Sequence, residues 1–281
     1  MNTLFAKSGY KVKIGRDSVN TLYLLYHSKN IIYGKQYFDI GGDYFFCNKE
    51  FGKNLSISSY QNEGRPVSFD MRQQPVLEYN RTEAKTLESK SDYFPQLKMK
   101  VGVNQNLLDF YAQYPPSYKN YDFMTRWAMI ANVPLDEDVQ RQIYPHLRKE
   151  LEGLSQRDAV QRLHTFAQTA IEWGWDEDIW GHDRAFFAEE TLFYPYGDSE
   201  DRVILLSRLI RDLVGLEVVI LYYPGHLSMA VRFDEDVKGA TVIYNGDRFI
   251  ICDPTYIGSW VGQVIPTFKD EDPQRIILLY K

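Results

Sequence analysis

Over the first hundred residues, apolar and polar positions alternate in short runs. Residues 10–14 alternate, residues 21–26 form a β-branched and aromatic run, and residues 36–40 and 44–47 flank Gly41-Gly42-Asp43. A period of two predicts half-buried strands, and the glycine pair predicts a hairpin turn. Ser28-Lys29-Asn30 and Gly52-Lys53-Asn54 read as further turns. Residues 80–92 are polar and charged and read as a loop or edge hairpin. Residues 1–99 are therefore expected to form an all-β domain, a small sandwich or barrel.

Near Pro95 the period lengthens. Residues 107–114 predict a short helix stopped by Pro115-Pro116, and residues 123–132 are amphipathic. Acids at Asp136, Glu137 and Asp138 precede a helix that runs to about Leu151. From Ser155 another helix places Val160, Leu163, Phe166 and Ala170 on one face, until Trp173-Gly174-Trp175 breaks the pattern. Residues 193–215 begin polar and turn-like, then become an apolar helix (Val203, Leu205, Leu206, Leu209, Ile210, Leu213) that stops at Gly215. Strand signals follow at 216–222, 227–233, 240–244, 248–252 and 275–280, with a hairpin at Asn245-Gly246-Asp247. Residues 100–281 are expected to form an α+β domain: helices first, then an antiparallel sheet, with the 199–213 helix packed on it.

A length of 281 residues accommodates about two domains. The net charge of −6 argues against a dedicated nucleic-acid binder. Cys47 and Cys252 imply no disulfide framework and read as small strand residues. The opening residues lack the apolar core and cleavage site of a signal peptide. No apolar run reaches the length of about 20 residues that a membrane span needs. The chain opens almost in a strand, so an upstream segment stays open.

Candidate chemistry gathers at three points. Ser199 lies at or beside a helix start, where backbone N–H groups and partial positive charge favour an anion. An isolated Ser there would be a helix cap. His226 follows Pro224-Gly225 at a strand start, and Asp253 precedes Pro254 at a strand end. A nucleophile on a helix start, then a base, then an acceptor that orients the base is the order of papain-like and transglutaminase-like sites.

The segment GDSEDRVILLSRLIRDLVGLEVVIL resembles the nucleophile helix of the transglutaminase-like superfamily, which there carries Cys in a Gly-Asp-Cys-Glu-Asp context. PGHLSMAV is similar to its His-bearing strand and RFIICDPTY to its Asp-bearing strand. The likeness spans roughly a third of the chain; Ser199 stands where the family has Cys. It implies a papain-like fold and acyl transfer or hydrolysis at peptide or protein amides through a covalent acyl-enzyme. Ser199 would hold the nucleophile position, with His226 as base and Asp253 as its orienting group. No cofactor or metal is implied.

A Ser hydroxyl cannot be ionised by the field that stabilises a thiolate, so activity is expected to be absent or much reduced. Three readings of Ser199 follow: a natural, catalytically silent module, an engineered Cys replacement, or a working serine variant, ranked last. The rival function is a non-catalytic peptide- or protein-binding module of the cell envelope. Relatives with an added β domain point to a periplasmic or secreted location. The partner is a peptide or protein rather than nucleic acid.

Trp173, Trp175 and Trp180 are candidates for a second oxyanion donor that no motif aligns, and packing explains them better. Tyr194 and Tyr196 read equally as groove or packing residues. Asp176, Glu177, Asp178, His182 and Asp183 match no calcium or zinc spacing and read as a solvated acidic face. Cys252 points opposite to Asp253 along its strand and reads as core.

Overall fold

The computed structural model describes residues 2–52, 54–60 and 62–280. Lys53, in one of the expected turns, lies outside them. In chain order the elements are α1 (Asn2–Lys7), β1 (Val12–Arg16), β2 (Leu22–His27), β3 (Ile31–Ile32), β4 (Tyr37–Ile40), β5 (Asp43–Cys47), β6 (Ser56–Ile57), β7 (Lys85–Glu88) and β8 (Lys98–Val101). Then come α2 (Gln105–Ala112), β9 (Ser117–Tyr118), α3 (Thr125–Ala131), α4 (Glu137–Leu151), α5 (Gln156–Thr169), β10 (Glu172–Trp173), α6 (Asp176–Ile179), α7 (Ala188–Phe193) and β11 (Tyr196–Gly197). The last are α8 (Ser199–Leu213), β12 (Glu217–Tyr223), β13 (His226–Arg232), β14 (Thr241–Tyr244), β15 (Asp247–Ile251), a 3-10 turn at Pro266–Phe268, and β16 (Arg275–Leu278). The protein is mixed α/β: among the described residues it has eight α-helices and two five-stranded antiparallel sheets. No helix among them is long and apolar enough to cross a membrane.

The chain divides into two compact units, Met1–Asp70 with Pro115–Arg126, and Met71–Tyr114 with Trp127–Lys281. This cut differs from 1–99 and 100–281. The β7–β8 hairpin belongs to the second unit, and residues 117–118 return to pair with Ile31–Ile32 in the first. Alternation along a strand reports a buried face, not which core that face joins.

In the first unit the sheet runs β4-β5-β2-β1-β6. The β4–β5 turn is the expected one. Gly41 and Gly42 take φ of 68° and 89° and close the Ile40↔Asp43 pair, a left-handed geometry open to glycine at no steric cost. Leu25, Phe45 and Phe46 are fully buried in its core.

In the second unit the sheet runs β14-β15-β13-β12-β16. Val219, Leu221 and Tyr223 on β12 join Ala230, Phe249 and Ile251 in one buried cluster, which Val264 and Phe268 help to cover. The alternate residues Val218 and Ile220 are buried as well. Helix α8 packs against β12 and β13 and also against α5 and α7. Its Val203, Leu205, Leu206, Leu209 and Ile210 are fully buried, each contributing about 1.5–3 kcal/mol. Gly215, in the left-handed region at φ 77°, ends the helix and donates its N–H to the Ile210 carbonyl (3.1 Å).

Candidate active site

The start of α8 is a capping box made of two aspartates. Asp198 is the N-cap and its Oδ1 accepts from the Glu200 N–H (3.1 Å), while Asp201 Oδ2 accepts from the Asp198 N–H (3.2 Å). Asp201 Oδ1 also accepts from the Phe186 N–H (2.8 Å), which ties the helix start to the segment before α7. The capping role that an isolated Ser would fill belongs to Asp198. Ser199 is the first helical residue, buried at 7 % exposure. It opens a helix whose apolar face is fully buried. Among the described residues no hydrogen bond joins Ser199 to the His226 ring.

His226 opens β13. Pro224-Gly225 occupies the middle of a two-residue turn, with Gly225 at φ 73° and Tyr223 paired to His226, the Pro-then-Gly order of a type II turn. The imidazole lies flat on Phe268 (5.3 Å between centroids, 12°), and Phe268 in turn stacks on Tyr223. The ring's Nε2 meets Asp253 Oδ2 at 2.7 Å. Asp253 sits two residues beyond the end of β15, whose Ile251 pairs with Ala230 of β13. Thr255 donates to Asp253 Oδ1 from both its N–H (2.9 Å) and its hydroxyl (2.6 Å).

These partners determine the charge of Asp253. Burial alone would raise its carboxyl pKa, but the hydrogen bond and charge of His226 and the two bonds from Thr255 hold it below the ordinary value. An ionised carboxylate only accepts, so Nε2 carries a proton in either state of the ring, and it is the proton kept when the ring gives up its charge. Nδ1 is then the nitrogen with a free lone pair, the one a base would use.

The opposite holds at the helix start. Burial, with the like charge of Asp176, pushes the Asp198 carboxyl up to about 7, and burial next to Asp198 pushes Asp201 well above the ordinary carboxylate range. Asp176, Asp198 and Glu200 each place a carboxylate oxygen within 4.8 Å of the others. This is the arrangement a hard cation would need, or one in which neighbouring acids share protons. Of the acids considered from sequence at 176–183, Asp176 belongs to this trio; Asp198 and Glu200, outside that stretch, complete it.

Trp173 pairs in parallel with Gly197 through the short β10–β11 contact and is 40 % exposed; Trp175 stands at right angles to it. Trp180 packs on Phe186 and Tyr194. Tyr196 is exposed beside Gly174, where an added Cβ would clash with Ile179 Cδ1. Cys252 is fully buried, and burial raises its thiol pKa far above the ordinary value, so it is no nucleophile.

Thr255, Phe268 and His164 were not found from the sequence. Asp253-Pro254-Thr255 carries a signal for the first, an Asp whose side chain bonds two residues onward. Phe268 and His164 meet the site only through the fold.

Compared with protein-family models the sequence matches none, and no curated protein sequence matches it.

Proposed function

We propose that the second unit is a transglutaminase-like, papain-like domain whose amide acyl-transfer or hydrolysis machinery is retained around a serine. In this reading the first unit is a β-rich domain that presents or recruits a peptide or protein. The observation that carries the proposal is the 2.7 Å contact of His226 Nε2 with a buried, ionised Asp253, on strands next to the helix that Ser199 opens. In the reaction, His226 Nδ1 takes the Ser199 proton as Oγ attacks the amide carbon. Asp253 stabilises the imidazolium, and that proton then passes to the leaving amine. The acids around Asp198 oppose negative charge at the helix start, so the hydroxyl reacts slowly and turnover is absent or much reduced. The same two features, Ser199 and the acidic trio, favour a second reading: a cleft that binds a peptide without cleaving it.

The test is Ser199→Cys exposed to a thiol-reactive peptide amide, with labelling located by mass spectrometry. Labelling at position 199 that is lost in Ser199→Cys/His226→Ala supports the retained machinery. A folded Ser199→Cys protein that does not label supports the binding module.

A further inference from the structure

Helix α5 contributes no residue to the proposed triad, yet one face of it is polar where a core helix should be apolar. Gln161, His164 and Gln168 recur at helical spacing and are 2 %, 0 % and 3 % exposed. All three point into the segment 253–261, which carries the acid. His164 Nε2 meets the Asp253 carbonyl at 2.8 Å. Gln168 donates to the Tyr256 carbonyl and to Ser259 Oγ (3.2 Å), and its own oxygen accepts from the Gly258 N–H (3.1 Å). Gln161 accepts from the Val261 N–H at 2.7 Å. Ser259 Oγ closes the set by donating to the same Asp253 carbonyl at 3.3 Å. On its other side α5 is tied to α8, because the buried Arg202 donates to the Gln168 (3.3 Å) and Ile171 (2.8 Å) carbonyls.

We propose that His164, with Gln161 and Gln168 holding the rest of segment 253–261, is a positioning residue that sets the Asp253 carboxylate against His226 by holding the Asp253 main chain. Its importance for catalysis rests on the function proposed above; its action on the His226–Asp253 pair does not. A carbonyl only accepts, so His164 Nε2 must carry the ring proton. Burial lowers the ring's pKa and keeps it neutral, which leaves Nδ1 as an acceptor. That Nδ1 is buried and has no hydrogen-bond partner among the described residues. A side chain chosen only to fill space would leave no such orphan, and an unpaired buried acceptor is retained at a cost. What is gained is one donor at a fixed point. Asp253 is thereby gripped at both ends, His164 and Ser259 on its carbonyl and Thr255 on its carboxylate, leaving Oδ2 a single direction in which to accept.

The test reads the pair directly in the otherwise unaltered protein. Side-chain ¹⁵N-histidine NMR follows the His226 Nε2–H proton in wild type, His164→Leu and His164→Gln. Gln retains a donor near the Nε2 position. The expected result is a protected Nε2–H in wild type, exchange at least roughly tenfold faster in folded His164→Leu, and recovery in His164→Gln. A folded His164→Leu whose His226 signal keeps its shift and exchange rate overturns the proposal. Should His164→Leu not fold, Gln168→Met carries the test: faster exchange supports the clamp, and an unchanged signal overturns it. Failure of Ser199→Cys to label would count against the enzyme reading and leave this result intact.

Discussion

Asp253 and Asp198 are both acids held within the second unit, and they are held in opposite states. Asp253 is 1 % exposed and stays ionised because an imidazole and a threonine both direct hydrogen bonds at it. Asp198 lies beside Asp176, Glu200 and Asp201, and burial among like charges pushes it up to about 7. Burial opposes ionisation at both places; the neighbours decide which carboxylate survives it. The contrast divides the proposed site into a half arranged to hold an ion pair and a half that resists gaining negative charge. A site of this kind is good at orienting a base and poor at generating an anionic nucleophile.

The comparison is broken most severely at Asp253. Asp253→Ala leaves the His226 ring and the Thr255 donors without an acceptor in a dry environment, and is expected to cost about 3–5 kcal/mol. Urea denaturation measures it, and a loss below about 1 kcal/mol would mean that the pair is not held as described. Thr255→Val keeps the shape and removes one bond to an ionised acceptor. Its expected cost is about 1.5–3 kcal/mol, seen in the same assay.

Asp198→Asn should be milder at neutral pH, within about 1 kcal/mol of wild type, because an amide can still cap the helix. Its larger effect is on pH dependence. A carboxyl whose pKa is raised on folding binds its proton more tightly in the native state. It therefore stabilises below the unfolded value of about 4, and that contribution is lost as pH rises through about 7. Asp253, with its pKa lowered, contributes above the unfolded value and loses that contribution as pH falls. Wild type should thus lose stability between about pH 4 and pH 7, by up to about 1.4 kcal/mol per pH unit for each such group. Glu189 and Glu190, both buried and pushed up to about 7, add to the same slope. Asp198→Asn should flatten the profile measurably against wild type; identical slopes would place Asp198 among ordinary surface acids. The smallest effect is expected from Gly225→Ala, where φ of 73° disfavours a Cβ. A loss of about 1 kcal/mol in thermal melts is the sign that the turn before His226 is set by that glycine.

Much of this arrangement was legible in the sequence. The apolar period of α8, its stop at Gly215, the Asn245-Gly246 hairpin and the β13 and β15 strands follow from patterns a few residues long. Pro224-Gly225 placed His226 at a strand start for the same local reason. The division of the chain was not legible, because residues 80–92 read as a loop or edge hairpin and nothing in their pattern names the core that the β7–β8 hairpin joins. Nor was the acidic trio, since Asp176 lies far along the chain from Asp198 and Glu200. The polar face of α5 is hidden in the sequence because Val160, Leu163 and Phe166 dominate its period. Gln161, His164 and Gln168 become explicable only when segment 253–261 is seen against them.

The central claim is that Ser199, His226 and Asp253 act as one unit. It is tested most directly by the pH dependence of iodoacetamide alkylation of the thiol introduced by Ser199→Cys, with and without His226→Ala. The account predicts a profile in which the His226 imidazole offsets the acids at the helix start, so that removing His226 moves alkylation to higher pH, toward or above the ordinary thiol range near about 8.5. A profile that already follows an ordinary thiol and is unmoved by His226→Ala would contradict it.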